Sequence, residues 1–124
     1  MGARENKQAT EDAYRAFASG DAEGAMADMD DSIAWTERGE NSLSGTRTGK
    51  QKVGELWGEL AANGFSVEPL EFIADGDKVV VLTKVTLDGE TVDGVHVLKF
   101  GADGKIVAFD SLGDPKVNNR VFPL

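Results

Sequence analysis

The chain has no cysteine among its 124 residues. That absence excludes disulfides, thiolate nucleophiles and Cys-ligated zinc or iron–sulfur sites together, and it fits a reducing compartment. Histidine occurs once, as His96. One imidazole and no thiolate leave too few ligands for a dedicated transition-metal site. Asp28, Asp30 and Asp31 cluster, but the twelve-residue loop with a closing Glu that calcium favours is missing, so they read as an acidic helix end. Gly39, Gly45 and Gly49 form no phosphate loop, because Gly49-Lys50 is followed by Gln51 rather than Ser or Thr. There is no nucleophile elbow, which leaves a Ser–His–Asp hydrolase in residue types only. No metal and no cofactor are expected.

Long apolar runs are also lacking, so nothing approaches the length of a membrane span. The segment MGARENKQATED has none of the apolar character of a secretory signal. Asn6 stands where myristoylation after Met1-Gly2 needs Ser or Thr. Basic residues are outnumbered, 13 Lys and Arg against 22 Asp and Glu, for a formal net charge of −9. Such a surface repels polyphosphates and anionic bilayers, so neither nucleic acid nor a membrane is expected as partner. The expected location is cytoplasmic.

What is present is 40% hydrophobic residues, enough for one real core without staples, in a length that fits one domain over residues 1–124. Residues 4–19 lack internal breakers until Ser19-Gly20, and Ala9, Ala13, Phe17 and Tyr14 or Ala16 fall near one helical face. Asp21 can cap a short helix over 22–29. Residues 32–38, with Ile33 and Trp35 alternating against polar neighbours, read as a strand, and 39–47 as a polar loop. Thr48 with Gln51 fits a capping box for a helix carrying Val53, Leu56, Trp57 and Leu60 on one stripe, stopped by Asn63-Gly64. From Phe65 the period becomes alternating. Strands are predicted over 65–74, 78–88, 91–100 and 105–112, separated by Asp75-Gly76-Asp77, Asp88-Gly89-Glu90 and Ala102-Asp103-Gly104. The last is followed by Gly113-Asp114-Pro115 and a polar tail. Helices at one end and strands at the other imply α+β.

The register of the last hairpin decides where chemistry can assemble. A two-residue turn at Asp103-Gly104 sets His96 opposite Ser111 and turns Asp110 to the other face. A three-residue loop, with Gly104 in the left-handed position, pairs Phe100 with Ile106, Leu98 with Ala108 and His96 with Asp110. The second arrangement makes one continuous apolar face and is preferred on pattern. It puts the two Cβ atoms about 5 Å apart, where the carboxylate can orient or charge the imidazole. The pair serves equally as a satisfied polar contact in a core or as a proton carrier.

The segments AYRAFASGD (13–21), DDSIAW (30–35), TGKQKV (48–53) and HVLKFGADGKIVAFD (96–110), in this order, resemble the landmarks of SnoaL-like domains of the nuclear transport factor 2-like superfamily, over nearly the whole chain. The resemblance implies three N-terminal helices packed on a strongly curved, mostly antiparallel sheet, a cone with an apolar pocket, and often a homodimer through the outer sheet face. Similarity to the polyketide cyclases of that group gives His96 and Asp110 acid–base roles: removal of a proton next to a carbonyl, then ring closure, with His96 on the carbonyl or the developing enolate. Similarity to the ketosteroid isomerases points instead to Tyr14, near the oxyanion Tyr position, and to Glu37, near that of the proton-transferring carboxylate, with His96 in place of the oxyanion Asp. The Asp–Arg–Asp set of limonene epoxide hydrolase has no match. A solvated ion pair with Arg38 is the other reading of Glu37, and packing alone that of Tyr14. Trp35, Trp57, Leu98 and Phe100 are expected as core or as substrate-binding wall. The expected function is acid–base chemistry on a hydrophobic carbonyl compound, of isomerase or cyclase type. The alternative is a non-catalytic ligand-binding or dimerisation module of the same fold.

Overall fold

The structure is a computed structural model that describes residues 2–124. Helix α1 spans Ala3–Ala18, opened by Glu5, whose carboxylate accepts the Gly2 N–H at 3.1 Å. It ends where Gly20 takes φ +82°, a conformation that glycine adopts without Cβ strain. Asp21 caps α2 (Ala22–Ala25) by accepting the Gly24 N–H at 2.9 Å. This helix is shorter than the predicted 22–29, because Met29 already pairs with Ile106 at the start of β1 (Met29–Glu37).

The stretch expected as loop contains a strand, β2 (Gly45–Thr48), antiparallel to β1. Its four residues are polar and lie at the sheet edge, with Thr36 and Thr46 hydroxyls 2.8 Å apart, so no hydrophobic alternation announces it. Thr48 is consequently a strand residue opposite Ala34 and not a helix cap. Gly49, at φ +99°, takes the cap position of α3 (Lys50–Ala62) without any side-chain bond. The predicted stripe Val53, Leu56, Trp57 and Leu60 is buried, and Asn63-Gly64 ends the helix.

Strands β3 (Ser66–Asp75), β4 (Lys78–Leu87), β5 (Glu90–Phe100) and β6 (Ile106–Ser111) complete one six-stranded sheet in the order β2-β1-β6-β5-β4-β3. Only the β1–β6 contact is parallel. Register shifts in the β1–β6, β3–β4 and β5–β6 pairs bend the sheet into an open curve. Helix α1 lies against β3 and β4, and α3 against β1 and β2, so the concave face holds the core. The polar tail is in fact helical over Lys116–Val121, α4. Val117 anchors it in the core, and Asn119 Oδ1 accepts from the Glu40 backbone at 2.9 Å and from Asn41 Nδ2 at 2.8 Å. No helix among the described residues is long and apolar enough to cross a membrane.

The β5–β6 hairpin departs from the preferred register in one place. Gly104 takes the left-handed conformation expected of it, φ +79°, and Phe100 pairs with Ile106. One residue further, Val107 is left without a partner and Lys99 pairs with Ala108. The shift carries Leu98 opposite Phe109, Val97 opposite Asp110, and His96 opposite Ser111. The predicted pairing of His96 with Asp110 therefore does not form. The physical reason is Phe109. The bulge turns its ring inward, 5% exposed and stacked on Trp35 at 3.6 Å and 11°. The regular register would have buried Ala108 instead, and a buried Phe side chain is worth roughly 2 kcal/mol more than an exposed one.

Candidate functional site

The concave face lines a mainly apolar cavity of about 110 Å³, open to solvent on one side, between α1, α3 and the inner rows of β1, β5 and β6. Inner-row alternation on β1 sends Ile33, Trp35 and Glu37 inward, and on β5 His96, Leu98 and Phe100. Tyr14, Trp35, Glu37, Trp57, His96 and Leu98 all line the cavity, which brings together six of the residues singled out in the sequence. Phe100 does not line it. It is buried deeper, as core, 2% exposed. Asp110 lies on the opposite face of β6, where its carboxylate takes two hydrogen bonds from Arg38, at 3.0 Å from Nε and 2.5 Å from Nη2. A side chain tied up there cannot reach a ligand in the cone, so the acid–base role expected of Asp110 is not available to it.

Tyr14 Oη and His96 Nδ1 are 2.6 Å apart. Tyr14 reaches the strand from the helix α1 face, its ring edge-on to Phe72 at 5.6 Å. Burial lowers the His96 pKa to about 4, because nothing charged offsets the loss of water. Burial likewise pushes the Tyr14 phenol up from its ordinary value. Both groups are neutral at neutral pH and share two protons, one of them in the bond between them. If the phenol donates, Nε2–H of the imidazole is the free donor; if Nδ1–H donates, the phenol proton is free. Either arrangement leaves one hydrogen-bond donor unspent at an apolar site.

Glu37 corrects the reading of a solvated ion pair: it is 8% exposed, on the inner row at the end of β1, while Arg38 turns outward to Asp110. Trp35 Nε1 donates to its Oε2 at 2.7 Å. Burial pushes the Glu37 pKa up, and the Trp35 bond and the nearby Arg47 charge hold it down only in part. The other carboxylate oxygen has no protein donor among the described residues. A raised carboxyl facing an apolar cavity is poised to exchange a proton with a ligand.

Among the wall groups not singled out as site residues in the sequence are Phe17, Phe109 and Ser111. Phe17 sits edge-on to Trp57 at 5.0 Å and to Phe65 at 5.9 Å. The bulge at Val107 brings Phe109 and Ser111 inward and reaches the His96–Ser111 pairing of the register not preferred in the sequence; the large apolar residue on the outer row of a regular β6 was the signal for it.

No functionally curated protein matches the chain in sequence. Among solved structures, a nuclear transport factor 2-like protein of unknown function from Burkholderia pseudomallei is 28% identical, with a TM-score of 0.82 over 97% of this chain and 98% of that one. TerC, co-crystallised with polyporic acid, is 29% identical, with a TM-score of 0.80 over 94% of this chain and 96% of that one. A nuclear transport factor 2-like protein from Burkholderia xenovorans is 26% identical over 98% of each chain, with a TM-score of 0.79. The SnoaL-like domain family matches residues 10–109, from the α1 face that carries Tyr14 to the bulged strand that carries Phe109. With that span and this curved sheet, the chain belongs to the SnoaL-like domain family of the nuclear transport factor 2-like superfamily.

Proposed function

We propose that this SnoaL-like domain is a small-molecule enzyme that moves a proton on a hydrophobic carbonyl compound, with Glu37 as base and the Tyr14–His96 pair as carbonyl-oxygen donor. One observation carries the reading: an elevated, half-satisfied carboxyl and an unspent neutral donor face the same apolar cavity. The Glu37 carboxylate takes the proton from the carbon next to the carbonyl. The C–H electron pair moves into the carbonyl, and the resulting enolate oxygen accepts the hydrogen bond from His96 or Tyr14. Return of the proton at another carbon gives an isomerase; attack of the enolate on a second carbonyl gives a cyclase. Neither course draws on a cofactor. The cavity is of the same order as the roughly 150 Å³ void that admits benzene and opens to solvent on one side, so a single ring with part of its edge at the mouth is the expected fit. The crystallisation of TerC with polyporic acid supports a small-molecule ligand for this cone.

The test is deuterium incorporation from heavy water into cyclohexanone, followed by proton NMR. Wild type is expected to accelerate exchange, and Glu37→Gln to lose about 10²-fold or more of that acceleration, the range of a positioned general base. Retention of a stabilising ketone by wild type without any exchange would establish the second reading, a ligand-binding module.

A further inference from the structure

Three neighbouring strands each turn one polar side chain into the cavity on a single cross-strand row. Ser111 of β6 pairs with Glu37 of β1 on one side and with His96 of β5 on the other. Adjacent strands are about 4.8 Å apart, so the serine stands between the carboxyl and the imidazole. Its two neighbours are already engaged, Glu37 by Trp35 and His96 by Tyr14. The Ser111 hydroxyl has no protein partner among the described residues, and it faces the cavity. The bulge at Val107 is what selects it: a regular hairpin would have placed Asp110 on this row. A second carboxylate beside Glu37 would push Glu37 further up and compete for the same proton. A serine is neutral and can both donate and accept.

We infer that Ser111 is a substrate-positioning residue that holds a second oxygen of the ligand, so that the preferred ligand is a small cyclic ketone with a hydroxyl on the carbon next to the carbonyl. The inference rests on the roles given above to Glu37 and the Tyr14–His96 pair, and adds the ligand class. His96 and Ser111 occupy adjacent strands, which places their hydrogen-bonding atoms to converge on oxygens of adjacent ring carbons. An oxygen held at each of the two fixes the ring's rotation in the cavity. It leaves the carbon that loses its proton on the Glu37 side. Ser111 is only part-buried, so its hydroxyl exchanges water for a ligand oxygen, and a ligand that supplies that oxygen gains one hydrogen bond over one that does not.

The experiment compares cyclohexanone with 2-hydroxycyclohexanone by NMR titration and by the exchange assay, using the full chain. Wild type is expected to prefer the hydroxy ketone by about tenfold, the usual worth of one well-placed neutral hydrogen bond. Ser111→Ala is expected to erase the preference, chiefly by raising KM for the hydroxy ketone. A far-UV circular dichroism spectrum and a urea midpoint matching wild type show that its fold is intact. Ser111→Thr keeps a hydroxyl and is expected to retain most of the preference. No preference in wild type, or a preference that survives in Ser111→Ala, overturns the inference while leaving Glu37-dependent exchange standing. Failure of wild type to bind either ketone, or exchange indifferent to Glu37→Gln, overturns the reading of the site and this inference with it.

Discussion

At the residue scale, the cavity holds two titratable groups that burial drives in opposite directions, His96 down to about 4 and Glu37 upward. Their linkage to stability is opposite in sign. Between about pH 4 and 6.5 the unfolded chain carries a proton on His96 that the folded chain does not. That proton favours unfolding, so the His96 contribution is complete above pH 6.5 and is lost as pH falls toward 4, up to about 3 kcal/mol in all. Glu37 holds its proton more tightly when folded, so its contribution is present at low pH and declines as pH rises through its elevated value. Urea unfolding of wild type and His96→Gln at pH 7 and pH 4 separates the two: the variant is expected to lose about 2–3 kcal/mol less on acidification. Equal losses would mean that His96 titrates normally. In catalysis the same groups give a single acid limb. The rate of exchange is expected to rise with pH through a value above the ordinary carboxylate 4.5, with no second limb near 6.5, since the imidazole is neutral throughout. A limb that persists unchanged in the residual activity of Glu37→Gln would point to a base other than Glu37.

At the scale of elements, one bulged residue sorts the chemistry of β6. Val107 sends Phe109 and Ser111 inward and Asp110 outward to Arg38. Asp110→Asn is accordingly expected to leave ketone exchange within about twofold and to cost no more than about 1 kcal/mol, the worth of a partly exposed ion pair. Denaturant midpoints and the exchange assay check it together; a loss of exchange comparable to that of Glu37→Gln would put Asp110 back in the cavity. The stripes of α3 and the hairpin turns were legible in the sequence because their signals are local: four apolar residues at helical spacing, and Gly76, Gly89 and Gly104 where φ is positive. Strand β2 was not, because an edge strand of Gly, Thr and Arg owes its place to pairing with β1 and carries no apolar alternation of its own. Helix α4 was not, because Val117 is a lone buried anchor in a run of Asn and Arg. Tyr14 and His96 were both legible as candidates, but their 2.6 Å contact, across 82 positions of sequence, follows from how α1 lies on the sheet. The Asp110 error has the same origin. Alternation fixes which residues share a face only until a bulge intervenes, and the bulge is decided by what Phe109 gains against Trp35, a residue 74 positions earlier on another strand.

For the whole molecule, the sheet has two faces and the helices cover only the concave one. On the outer face, register brings Ile73 beside Val80, Val80 beside Val97, and Leu82 beside Val95. Ile73 and Leu112 are 46% and 48% exposed there. An apolar band across three or more strands is larger than the scattered single residues of an ordinary surface. The net charge of −9 works against random aggregation. We propose that two copies pair through this face, each supplying the same aliphatic row in a two-fold, self-complementary interface. Light scattering after size exclusion is expected to give a mass near twice 13.2 kDa. Val97→Glu introduces a charge at the middle of the band, where the partner would have to bury it unpaired, and is expected to yield the monomer. Because Val97 points away from the cone, that monomer should keep its ketone exchange, with only the loss of stability that follows from no longer being coupled to association. A wild type that is monomeric at all concentrations would overturn this pairing and leave the site chemistry of the single cone unchanged.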